Sequence, residues 1–483
     1  MLSISREEIL AKMRLANPWW AKPEKSSVPF NQLRPRAYFH QFRPLAAALR
    51  PVRAALLMGP RRVGKTVLVF HFIRSMIAKG YPAKSLIYLD LQQPLYNGLG
   101  LEQMLVAAME ASDATPEDGL YVCFDEIQYL RSWEVHLKAL VDSYPSIKFI
   151  ATGSAAAALR LKSNESGAGR FTDFVLPPLT FYEYLDLIGE PSLVGIVKKR
   201  NGRNRATSTD KPKVNELFLA YLNSGGYPEA ALSEEVQSDL GRYIRSDVID
   251  KVLLKDLPSL YGIQDIQELN SLFATLAYNT ANEVSLSELA QNSGVAKNTL
   301  KKYIEYLESA FLLRVVHRVD RNAKRFQRAN YFKVYLTNPS IRSALFSPVG
   351  PDDEAMGNLV ETAVFSQWFH SLYTELHYAR WDRGEVDIVH LDPKQRPLWG
   401  IEVKWSDRFV EKPHDLKSLK SFGKKHPECQ FMVTTRTKQA SRNIDGRDIN
   451  FVPASLYCYL LGYNIINNRA EAFDIAATDD EGE

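Results

Sequence analysis

The sequence GPRRVGKT, residues 59–66, has the residue types that a phosphate-binding loop needs. It matches G-x-x-x-x-G-K-[ST] and lies between an apolar stretch, residues 54–58, and an apolar helical stretch, residues 67–77. Glycines let a backbone wrap closely around phosphates, and a helix N-terminus favours negative charge. Lys65 is expected to reach the β- and γ-phosphates, and Thr66 to place its hydroxyl on Mg²⁺. We expect the whole loop to bind phosphate, namely Gly59, Pro60, Arg61, Arg62, Val63, Gly64, Lys65 and Thr66.

Two adjacent carboxylates end the apolar part of LYVCFDEIQYL, residues 120–130. At the end of a strand, Asp125 is expected to hold the Mg²⁺ shell, while Glu126 can orient and polarise a water for attack on the γ-phosphate. A plain loop cap is the alternative. Because the pair follows the phosphate loop, we interpret Glu126 and Lys65 as catalytic residues. Thr66 and Asp125 are then the metal-shell residues of a site for ATP and Mg²⁺.

Three further side chains are candidates for the same site. The strand sequence IKFIATGS ends with Thr152 and Ser154, whose hydroxyls are expected to sense the γ-phosphate or to position water. Arg170 follows in the glycine-rich sequence SGAGRF. An arginine stabilises the charge that develops on a transferring phosphoryl group, in its own chain or from a neighbouring subunit. A strand-to-turn transition and a surface arginine are the alternatives.

A second constellation lies near the C-terminus, in GNLVETAVFSQW, RGEVDIVHL and WGIEVKW. These pieces carry Glu361 on a helix, Asp387 on a strand, and Glu402 and Lys404 on the next strand, where alternation places the last two on one face. Carboxylates can hold Mg²⁺ that polarises a phosphodiester, and a lysine can stabilise the resulting anion. We predict a metal-dependent cleavage site with Glu361, Asp387 and Glu402 as metal ligands. Asp387, Glu402 and Lys404 are its predicted catalytic residues.

The same C-terminal residues also have a structural interpretation. An isolated E-x-K occurs often by chance, and an intact triad can persist as an ion-pair network that cleaves nothing. In that case the C-terminal half is non-catalytic, and nucleotide state regulates protein contacts.

The elements that must position the first site alternate between short buried strands and longer helical stretches, from residue 53 to about residue 190. The candidate strands are residues 54–58, 86–91, 120–125 and 147–152. This alternation is typical of a mostly parallel sheet covered by helices, and such sheets bind ligands at the C-terminal ends of their strands. The sequence therefore predicts an α/β core with the first site at those ends.

Residues 284–313 predict a helix-turn-helix, with a helix over residues 286–291, a turn at Asn292 and Gly294, and a second helix from Lys297. We interpret it as part of a winged helix. The second helix is expected to expose Lys297, Asn298, Lys301 and Lys302, and the region that follows adds Arg318, Arg321, Lys324, Arg325, Phe326 and Arg328. A surface of this kind neutralises phosphates, so DNA is the predicted partner. An interdomain lid is the alternative.

Composition excludes several classes of protein. Hydrophobic residues at 45% and charged residues at 24% fit an ordinary globular chain, and a net charge of +4 is too small to indicate nucleic-acid binding by itself. Three scattered cysteines form no spaced pair, which excludes a disulfide framework. Apolar runs are far shorter than the roughly 20 residues of a membrane span, and the N-terminus has no signal-peptide pattern. We expect a cytoplasmic protein without membrane topology.

A family resemblance rests on the order of GPRRVGKT, FDEIQYL, ATGS, AGRFTDFVLPPLTFYEYL and YLNSGGYPEA, with NPWW near Asn17. This order resembles prokaryotic AAA-type P-loop ATPases with a C-terminal domain of unknown function, over nearly the whole chain. In that family the C-terminal module resembles PD-(D/E)xK restriction endonucleases. The resemblance implies an α/β fold with a three-layer AAA-type core and an appended α/β nuclease-like domain. AAA-type ATPases commonly complete their sites with a neighbouring subunit, so it also implies a homo-oligomer.

The predicted organisation has seven parts. They are an N-terminal segment (1–50), the ATPase core (51–195), a basic linker or insertion (196–213), a helical region (214–280), a winged helix-turn-helix (281–335), a restriction-endonuclease-like domain (336–470) and an acidic tail (471–483). The sequence KKRNGRNRATSTDKPK lacks aromatic residues, so we expect an exposed linker there. Four of the last six residues are acidic, and we expect a disordered tail.

Overall fold

A computed structural model describes residues 5–153, 169–198, 204–263, 265–324, 330–369 and 374–467. The chain forms two compact units. The first unit comprises Met1–Leu176 and Ser309–Phe311, and the second comprises Pro177–Glu308 and Leu312–Glu483. Among the described residues, no helix is both long enough and apolar enough to cross a bilayer.

The first unit contains a five-stranded parallel sheet in the order β2-β3-β4-β1-β5. Its strands are β1 (Ala54–Met58), β2 (Leu86–Asp90), β3 (Tyr121–Asp125), β4 (Lys148–Gly153) and β5 (Phe171–Val175). The four strands predicted from the apolar runs are confirmed to within one residue at each end. All residues of β1, β3 and β4 are buried, so both faces of these central strands are covered, as expected for parallel sheets.

Among the described residues of the first unit, five α-helices accompany this sheet: α1 (Arg6–Ala16), α2 (Phe39–Ala47), α3 (Lys65–Ala78), α4 (Leu101–Ser112) and α5 (Trp133–Ser143). Their apolar faces and the strands form one core that includes Leu56, Phe124, Met104 and Leu137. The helix predicted after the phosphate loop is α3, which begins at Lys65 and contains the predicted residues 67–77. This parallel sheet and its helices form an α/β core that agrees with a P-loop AAA-like fold.

The second unit is larger and contains two sheets, whose strands alternate irregularly with helices along the chain. Its helices are α6 (Phe181–Leu187), α7 (Lys211–Ser224), α8 (Pro228–Leu232), α9 (Glu234–Ser238), α10 (Leu240–Tyr243), a π-helix (Ile244–Asp256), α11 (Leu257–Tyr261), α12 (Ile266–Tyr278), α13 (Leu286–Ser293), α14 (Lys297–Ser309), α15 (Ser340–Leu345), α16 (Met356–Trp368), α17 (Arg408–Glu411), α18 (Lys417–Lys425) and α19 (Ala454–Ile466). Its strands are β6 (Gly195–Lys198), β7 (Asn204–Thr207), β8 (Glu283–Ser285), β9 (Leu313–Val319), β10 (Tyr331–Leu336), β11 (Leu376–Trp381), β12 (Gly384–Leu391), β13 (Pro397–Glu402), β14 (Gln430–Thr435), β15 (Ala440–Ile444) and β16 (Arg447–Pro453).

Nine strands of this unit form one sheet in the order β15-β16-β14-β13-β12-β11-β9-β10-β8. Strand β12 is antiparallel to its neighbours β11 and β13, whereas β14 is parallel to its neighbours β13 and β16. The buried helix α16 and the terminal helix α19 pack with this sheet in a core that contains Val360, Ile388, Ile401 and Leu456. Trp368 of α16 stacks on Trp399 of β13, with 5.1 Å between the ring centroids.

The two helices predicted as a helix-turn-helix are confirmed as α13 and α14. Gly294 adopts φ 72°, a left-handed conformation that ends α13 without strain because glycine has no Cβ. Leu286, Leu300, Ile304 and Leu307 are buried as the apolar spacing predicted. Leu289 and Val295 are only half-buried. Strand β10 pairs with both β8 and β9, so these strands join the large sheet.

The basic segment expected to be an exposed linker has more regular structure than predicted. Asn204–Thr207 pair with Gly195–Lys198 as an antiparallel hairpin, and α7 already begins at Lys211. Ala206 is buried in the core of the second unit, and Asp210 caps α7 by accepting a hydrogen bond from the Lys213 amide at 3.0 Å. Residues 199–203 and the acidic tail, residues 471–483, lie outside the described residues.

Candidate functional site

The phosphate loop follows β1 and has two positions that require glycine. Gly59 adopts φ 153°, and a Cβ at this position would lie 2.1 Å from the Leu176 carbonyl oxygen. Gly64 adopts φ 91° directly before α3. The amides of the first turn of α3 have no acceptor within the helix, and they point toward the loop. The backbone is therefore shaped to accept an anion.

Lys65 lies within this loop and is almost fully buried. Its Nζ donates hydrogen bonds to the carbonyl oxygens of Gly59 at 3.1 Å and Pro60 at 2.8 Å. Val63 is buried and its carbonyl oxygen accepts a hydrogen bond from Arg36 at 3.0 Å, so only its backbone is available to a ligand. Arg61 donates a hydrogen bond to the Tyr129 hydroxyl at 3.5 Å. The side chain of Arg62 is exposed, and its backbone adopts φ 64°.

Three hydroxyl groups surround the Asp125 carboxylate at the end of β3. Thr66 and Tyr88 donate to Oδ2 at 2.8 and 2.7 Å, and Thr152 donates to Oδ1. Burial and the nearby Glu126 raise the pKa of Asp125, whereas the three hydroxyls lower it. The carboxylate is fixed between the phosphate loop and the adjacent strands, as the Mg²⁺ shell of a P-loop site requires.

Tyr88 is a residue of this site that motif analysis missed. It lies on the edge strand β2, and burial next to Asp125 raises its pKa, so its hydroxyl remains a neutral donor. The Asn17 side chain pairs with the Tyr88 backbone, donating to its carbonyl oxygen at 3.0 Å and accepting from its amide at 2.7 Å. The Trp19 indole donates to the Leu86 carbonyl oxygen at 2.9 Å. The NPWW sequence thus covers the edge of the strand that supplies Tyr88.

Glu126 differs from its neighbour in conformation and surroundings. It adopts φ 55° and ψ 50°, a left-handed conformation that costs a non-glycine residue about 1–2 kcal/mol. Its amide donates to the Thr152 hydroxyl at 3.0 Å. Its half-buried carboxylate accepts a hydrogen bond from Gln128.

The structure does not bring every predicted residue to this site. Arg170 precedes β5, beside the first residue of β1, because the amide of Ala54 bonds its carbonyl oxygen at 2.8 Å. The phosphate loop begins at the other end of β1, and five strand residues span about 16 Å. The Arg170 side chain pairs instead with Asp142. Its predicted action on the site of its own chain is therefore not seen. Ser154 lies outside the described residues.

A second centre forms in the second unit around Asp387 and Glu402. Ile388 pairs with Ile401 across antiparallel strands, so the preceding Asp387 faces the following Glu402. Like charges in such a pair repel each other. Lys404 offsets this repulsion, because its Nζ lies 2.9 Å from Glu402 Oε1 and 3.5 Å from Asp387 Oδ2. The Val403 amide also donates to Asp387 at 2.8 Å. The predicted D…E-x-K residues thus meet.

Glu361 lies in a neighbouring set of contacts. Lys333 and Tyr335 of β10 donate to its Oε1 at 2.9 and 2.6 Å, and Lys333 also lies 2.5 Å from Glu385. Burial lowers the pKa of Lys333, but the attraction of Glu361, Asp387 and Glu385 raises it above its usual value. Sequence reasoning missed Lys333, Tyr335 and Glu385. The only signal was that Glu385 precedes Asp387 by two positions and so shares its strand face.

Burial and charge repulsion raise the pKa values of two carboxyl groups in this second centre. Burial, followed by repulsion from Asp387, raises the pKa of Glu402 to about 8. Burial also raises the pKa of Glu361 to about 7. The buried Glu402 Oε2 has no hydrogen-bond partner. Within the described ranges, no three His, Cys, Asp or Glu side chains are grouped as a metal site. Asp387 and Glu402 can nevertheless supply two carboxylates, as Mg²⁺ sites commonly do.

The predicted basic surface is only partly available. Lys297, Asn298, Lys301 and Lys302 are exposed on α14. Arg318 instead donates to the Arg380 carbonyl oxygen at 3.1 Å. Arg321 donates to Ser421 at 3.4 Å and lies 6.0 Å from the ring centroid of Trp381. Arg325, Phe326 and Arg328 lie outside the described residues.

Comparison with protein families divides the chain into three matched regions. Residues 52–185 match the AAA domain family, which indicates an ATPase of the P-loop type. Residues 215–352 match a domain of unknown function, DUF8612, and residues 356–457 match another, DUF4143. The loop, Asp125, Glu126 and Thr152 all lie within the first match. Asp387, Glu402 and Lys404 lie within the third.

Comparison with whole proteins finds distant relatives. A protein of Haemophilus influenzae is 23% identical over 339 residues, covering 69% of this chain and 78% of its own length. One Methanocaldococcus jannaschii protein is 23% identical over 356 residues, covering 72% of this chain and 74% of its own length. Another protein of that organism is 27% identical over 327 residues, covering 64% of this chain and 66% of its own length. All three are described as uncharacterized. The solved structure of C. elegans PCH-2 is 14% identical and covers 64% of this chain and 72% of its own, with a TM-score of 0.23, too low to support an argument about fold.

Proposed function

We propose that this chain hydrolyses Mg-ATP in its first unit, with Glu126 orienting the attacking water. The observation that carries the proposal is the enclosure of Asp125 by three hydroxyls, one of which belongs to Thr66 of the phosphate loop. This contact joins the loop to the acidic strand where a P-loop ATPase holds its metal ion. The AAA domain match over residues 52–185 supports the same reaction class.

The side chains of this site have separate tasks in the proposed reaction. When bound, Mg²⁺ neutralises charge on the β- and γ-phosphates. Thr66 and Asp125 hold its shell, and Lys65 exchanges the carbonyl oxygens of its own loop for phosphate oxygens. Glu126 accepts a hydrogen bond from the water that attacks. Thr152 contacts both Asp125 and the Glu126 amide, so it keeps the two acids in fixed relation.

Exchange of Lys65 tests this proposal. Lys65→Ala removes the cation that the phosphates would bind, so nucleotide affinity should fall at least tenfold and ATP turnover should be lost. Lys79→Ala is the matched control, because it removes an equal charge from the exposed end of the same helix. Binding of a fluorescent ATP analogue and phosphate release are measured for both. ATP binding and turnover by Lys65→Ala at the control's level would overturn the assignment.

A second proposed activity is metal-dependent cleavage of nucleic acid by the second unit. The specific observation in its favour is the buried, unpartnered Oε2 of Glu402 opposite Asp387 and beside Lys404. The order of α16, three antiparallel strands, α18 and the parallel β14 also supports a restriction-endonuclease-like fold. Asp387 and Glu402 would hold Mg²⁺, and Lys404 would stabilise charge on the scissile phosphate. The alternative is a non-catalytic module that nucleotide state regulates.

Cleavage is tested with supercoiled, linear and single-stranded DNA under Mg²⁺ or Mn²⁺, with and without ATP. Asp387→Ala should abolish cutting and leave ATP hydrolysis intact, since the ATP site has its own residues. Asp382→Ala, an exposed exchange in the same hairpin, should keep both activities. Absence of cutting by the wild-type chain under every condition would support the non-catalytic alternative.

We also propose that α12, α13 and α14, with strands β8, β9 and β10, form a winged helix that contacts DNA; the sequence placed this winged helix at residues 281–335. The order of α12, β8, α13, α14, β9 and β10 supports this fold, and the exposed Lys297, Lys301 and Lys302 on α14 support phosphate contact.

Arg170 lies before β5, at the end of β1 opposite to the phosphate loop of its own chain. The remaining role for this arginine is action on the site of a neighbouring subunit. We therefore propose that the chain self-associates as a homo-oligomer.

A further inference from the structure

Lys333 is a buried cation that no motif of the sequence includes. Only 2% of its surface is exposed. Its Nζ lies 2.9 Å from Glu361 Oε1 and 2.5 Å from Glu385 Oε1, and 5.4 Å from the ring centroid of Tyr378. A buried ammonium group persists only when opposite charges and hydrogen bonds compensate for its lost hydration. The two glutamates supply this compensation.

The lysines divide the carboxylates of the second centre into two pairs. Lys404 contacts Asp387 and Glu402, whereas Lys333 contacts Glu361 and Glu385. Glu385 also pairs with Arg380, whose Nη1 lies 2.9 Å from Glu385 Oε2. With this guanidinium, four carboxylates and three cationic groups leave one negative charge uncompensated when all seven groups are ionised. One divalent cation already exceeds that charge. A second would add two further positive charges beside the ammonium group of Lys333.

One buried carboxylate oxygen on the Lys404 side of this arrangement has no partner. It is Glu402 Oε2, whereas Glu402 Oε1 contacts Lys404. Glu361 accepts two hydrogen bonds at Oε1, from Lys333 and Tyr335. Mg²⁺ and Mn²⁺ are commonly held by one or two carboxylates, with waters in the remaining positions. Asp387 and Glu402 meet this requirement without Glu361.

We propose that Lys333 takes the place of a second metal ion, so that this centre binds one divalent cation through Asp387 and Glu402. Glu361 then holds Lys333 in position and does not ligate the metal. The inference rests on the proposed metal-dependent role of the centre. Lys333 is a positioning residue in this scheme, because its strand β10 fixes the ammonium group relative to Glu361 and Glu385.

The number of Mn²⁺ ions bound by the nucleotide-free full chain tests this inference. Titration calorimetry on the wild type and on Asp387→Ala gives the number of ions that depend on Asp387, because any binding elsewhere is common to both. We expect one such ion. In Lys333→Met the two glutamates lose their cation, and we expect the total number of bound ions to exceed that of the wild type by one. Lys333→Arg keeps the charge and should bind as many ions as the wild type.

The outcomes separate this inference from the function on which it rests. Two Asp387-dependent ions in the wild type would contradict the role of Lys333 but leave a metal-dependent centre standing. A folded Lys333→Met that binds no more ions than the wild type would also contradict it. No Asp387-dependent ion in the wild type would overturn both. If melting shows that Lys333→Met does not fold, the wild type and Lys333→Arg decide. Two Asp387-dependent ions in the wild type, or an additional ion in Lys333→Arg, would contradict the inference.

Discussion

Asp125 and Glu126 are adjacent in sequence but lie in different environments, which agrees with the separate tasks proposed for them. Asp125 is enclosed by the hydroxyls of Thr66, Tyr88 and Thr152. Glu126 lies in a left-handed turn, half-buried and next to Gln128. An enclosed carboxylate can hold a metal shell in fixed orientation, whereas a turned one can reach a water. The strained backbone at Glu126 agrees with a functional position.

Tyr88 provides a prediction at this scale. Tyr88→Phe keeps the ring but removes a hydroxyl donor from the buried Asp125 carboxylate. We expect the Mg²⁺ concentration for half-maximal ATP turnover to rise several-fold, with a stability loss of about 1–2 kcal/mol. Tyr96→Phe, at another buried tyrosine of the same unit, is the control. An unchanged Mg²⁺ requirement would show that Tyr88 has only a structural role.

The motif residues could be predicted because spacing along one segment brings them together. Lys65 and Thr66 follow the loop glycines, and Asp125 and Glu126 end one strand. Tyr88 could not be predicted, since its contact with Asp125 depends on β2 pairing beside β3. Lys333 likewise reaches Glu361 from a strand 28 residues away in sequence. Contacts of this kind depend on strand order, which local patterns do not encode.

At the scale of elements, strand order decides which residues meet at the proposed ATP site. Strand β4 lies between β1, which leads into the phosphate loop, and β3, which ends in Asp125. Thr152 at the end of β4 therefore contacts Asp125 and the Glu126 amide. The apolar runs predicted the strands themselves, because a strand buried on both faces reads as a continuous apolar sequence. Their order in the sheet was not predictable from those runs.

Lys148 at the start of β4 gives a prediction of pH dependence. Burial lowers its pKa to about 8, below the usual 10.5, so folding favours the neutral amine. This contribution to stability is present above pH 10.5 and is lost as the pH falls through about 8. The free energy of unfolding of the wild type, relative to Lys148→Met, should therefore rise with pH across that window. Denaturant titrations measure it, with the exposed Lys138→Met as control. A pH-independent difference would contradict the prediction.

Helix α14 gives a prediction of nucleic-acid contact. Charge reversal in Lys301→Glu with Lys302→Glu should weaken DNA binding about equally for all sequences and reduce its salt dependence, because fewer counterions are released. Lys394→Glu, an exposed exchange on a β-turn, should change neither. Fluorescence anisotropy at several salt concentrations measures both quantities. Unchanged affinity and salt slope would favour the interdomain-lid interpretation of this helix.

At the scale of the whole molecule, the two candidate centres belong to separate compact units with separate sets of carboxylates. The sequence predicted both sets. It did not predict that β8, β9 and β10 continue the sheet of the C-terminal region, through parallel pairing of β9 with β11. That pairing joins segments about 60 residues apart and brings Lys333 to the second centre. Local spacing predicted the winged helix as a part of the chain ending at residue 335, without this pairing.

The position of Arg170 gives a prediction about assembly. If Arg170 acts on a neighbouring subunit, Arg170→Ala chains have intact Glu126 but lack the arginine for the next site. Mixing them with Glu126→Gln chains should restore part of the ATP turnover, because some sites then combine both residues. Arg131→Ala, at an exposed arginine, should retain turnover without mixing. The mixed sample is measured under conditions in which subunits exchange. No recovery would remove the support for action between subunits.

The most direct test of the ATPase assignment is phosphate release at saturating Mg-ATP by the wild type and by Glu126→Gln, with nucleotide binding measured on the same samples. Exchange of the carboxylate for an amide keeps the size of the side chain but removes the group proposed to polarise water. We expect turnover by the wild type, and ATP binding with at least a hundredfold loss of turnover by the variant. Glu117→Gln, at an exposed glutamate, should behave as wild type. Equal turnover by Glu126→Gln and the wild type would contradict the catalytic role proposed for Glu126.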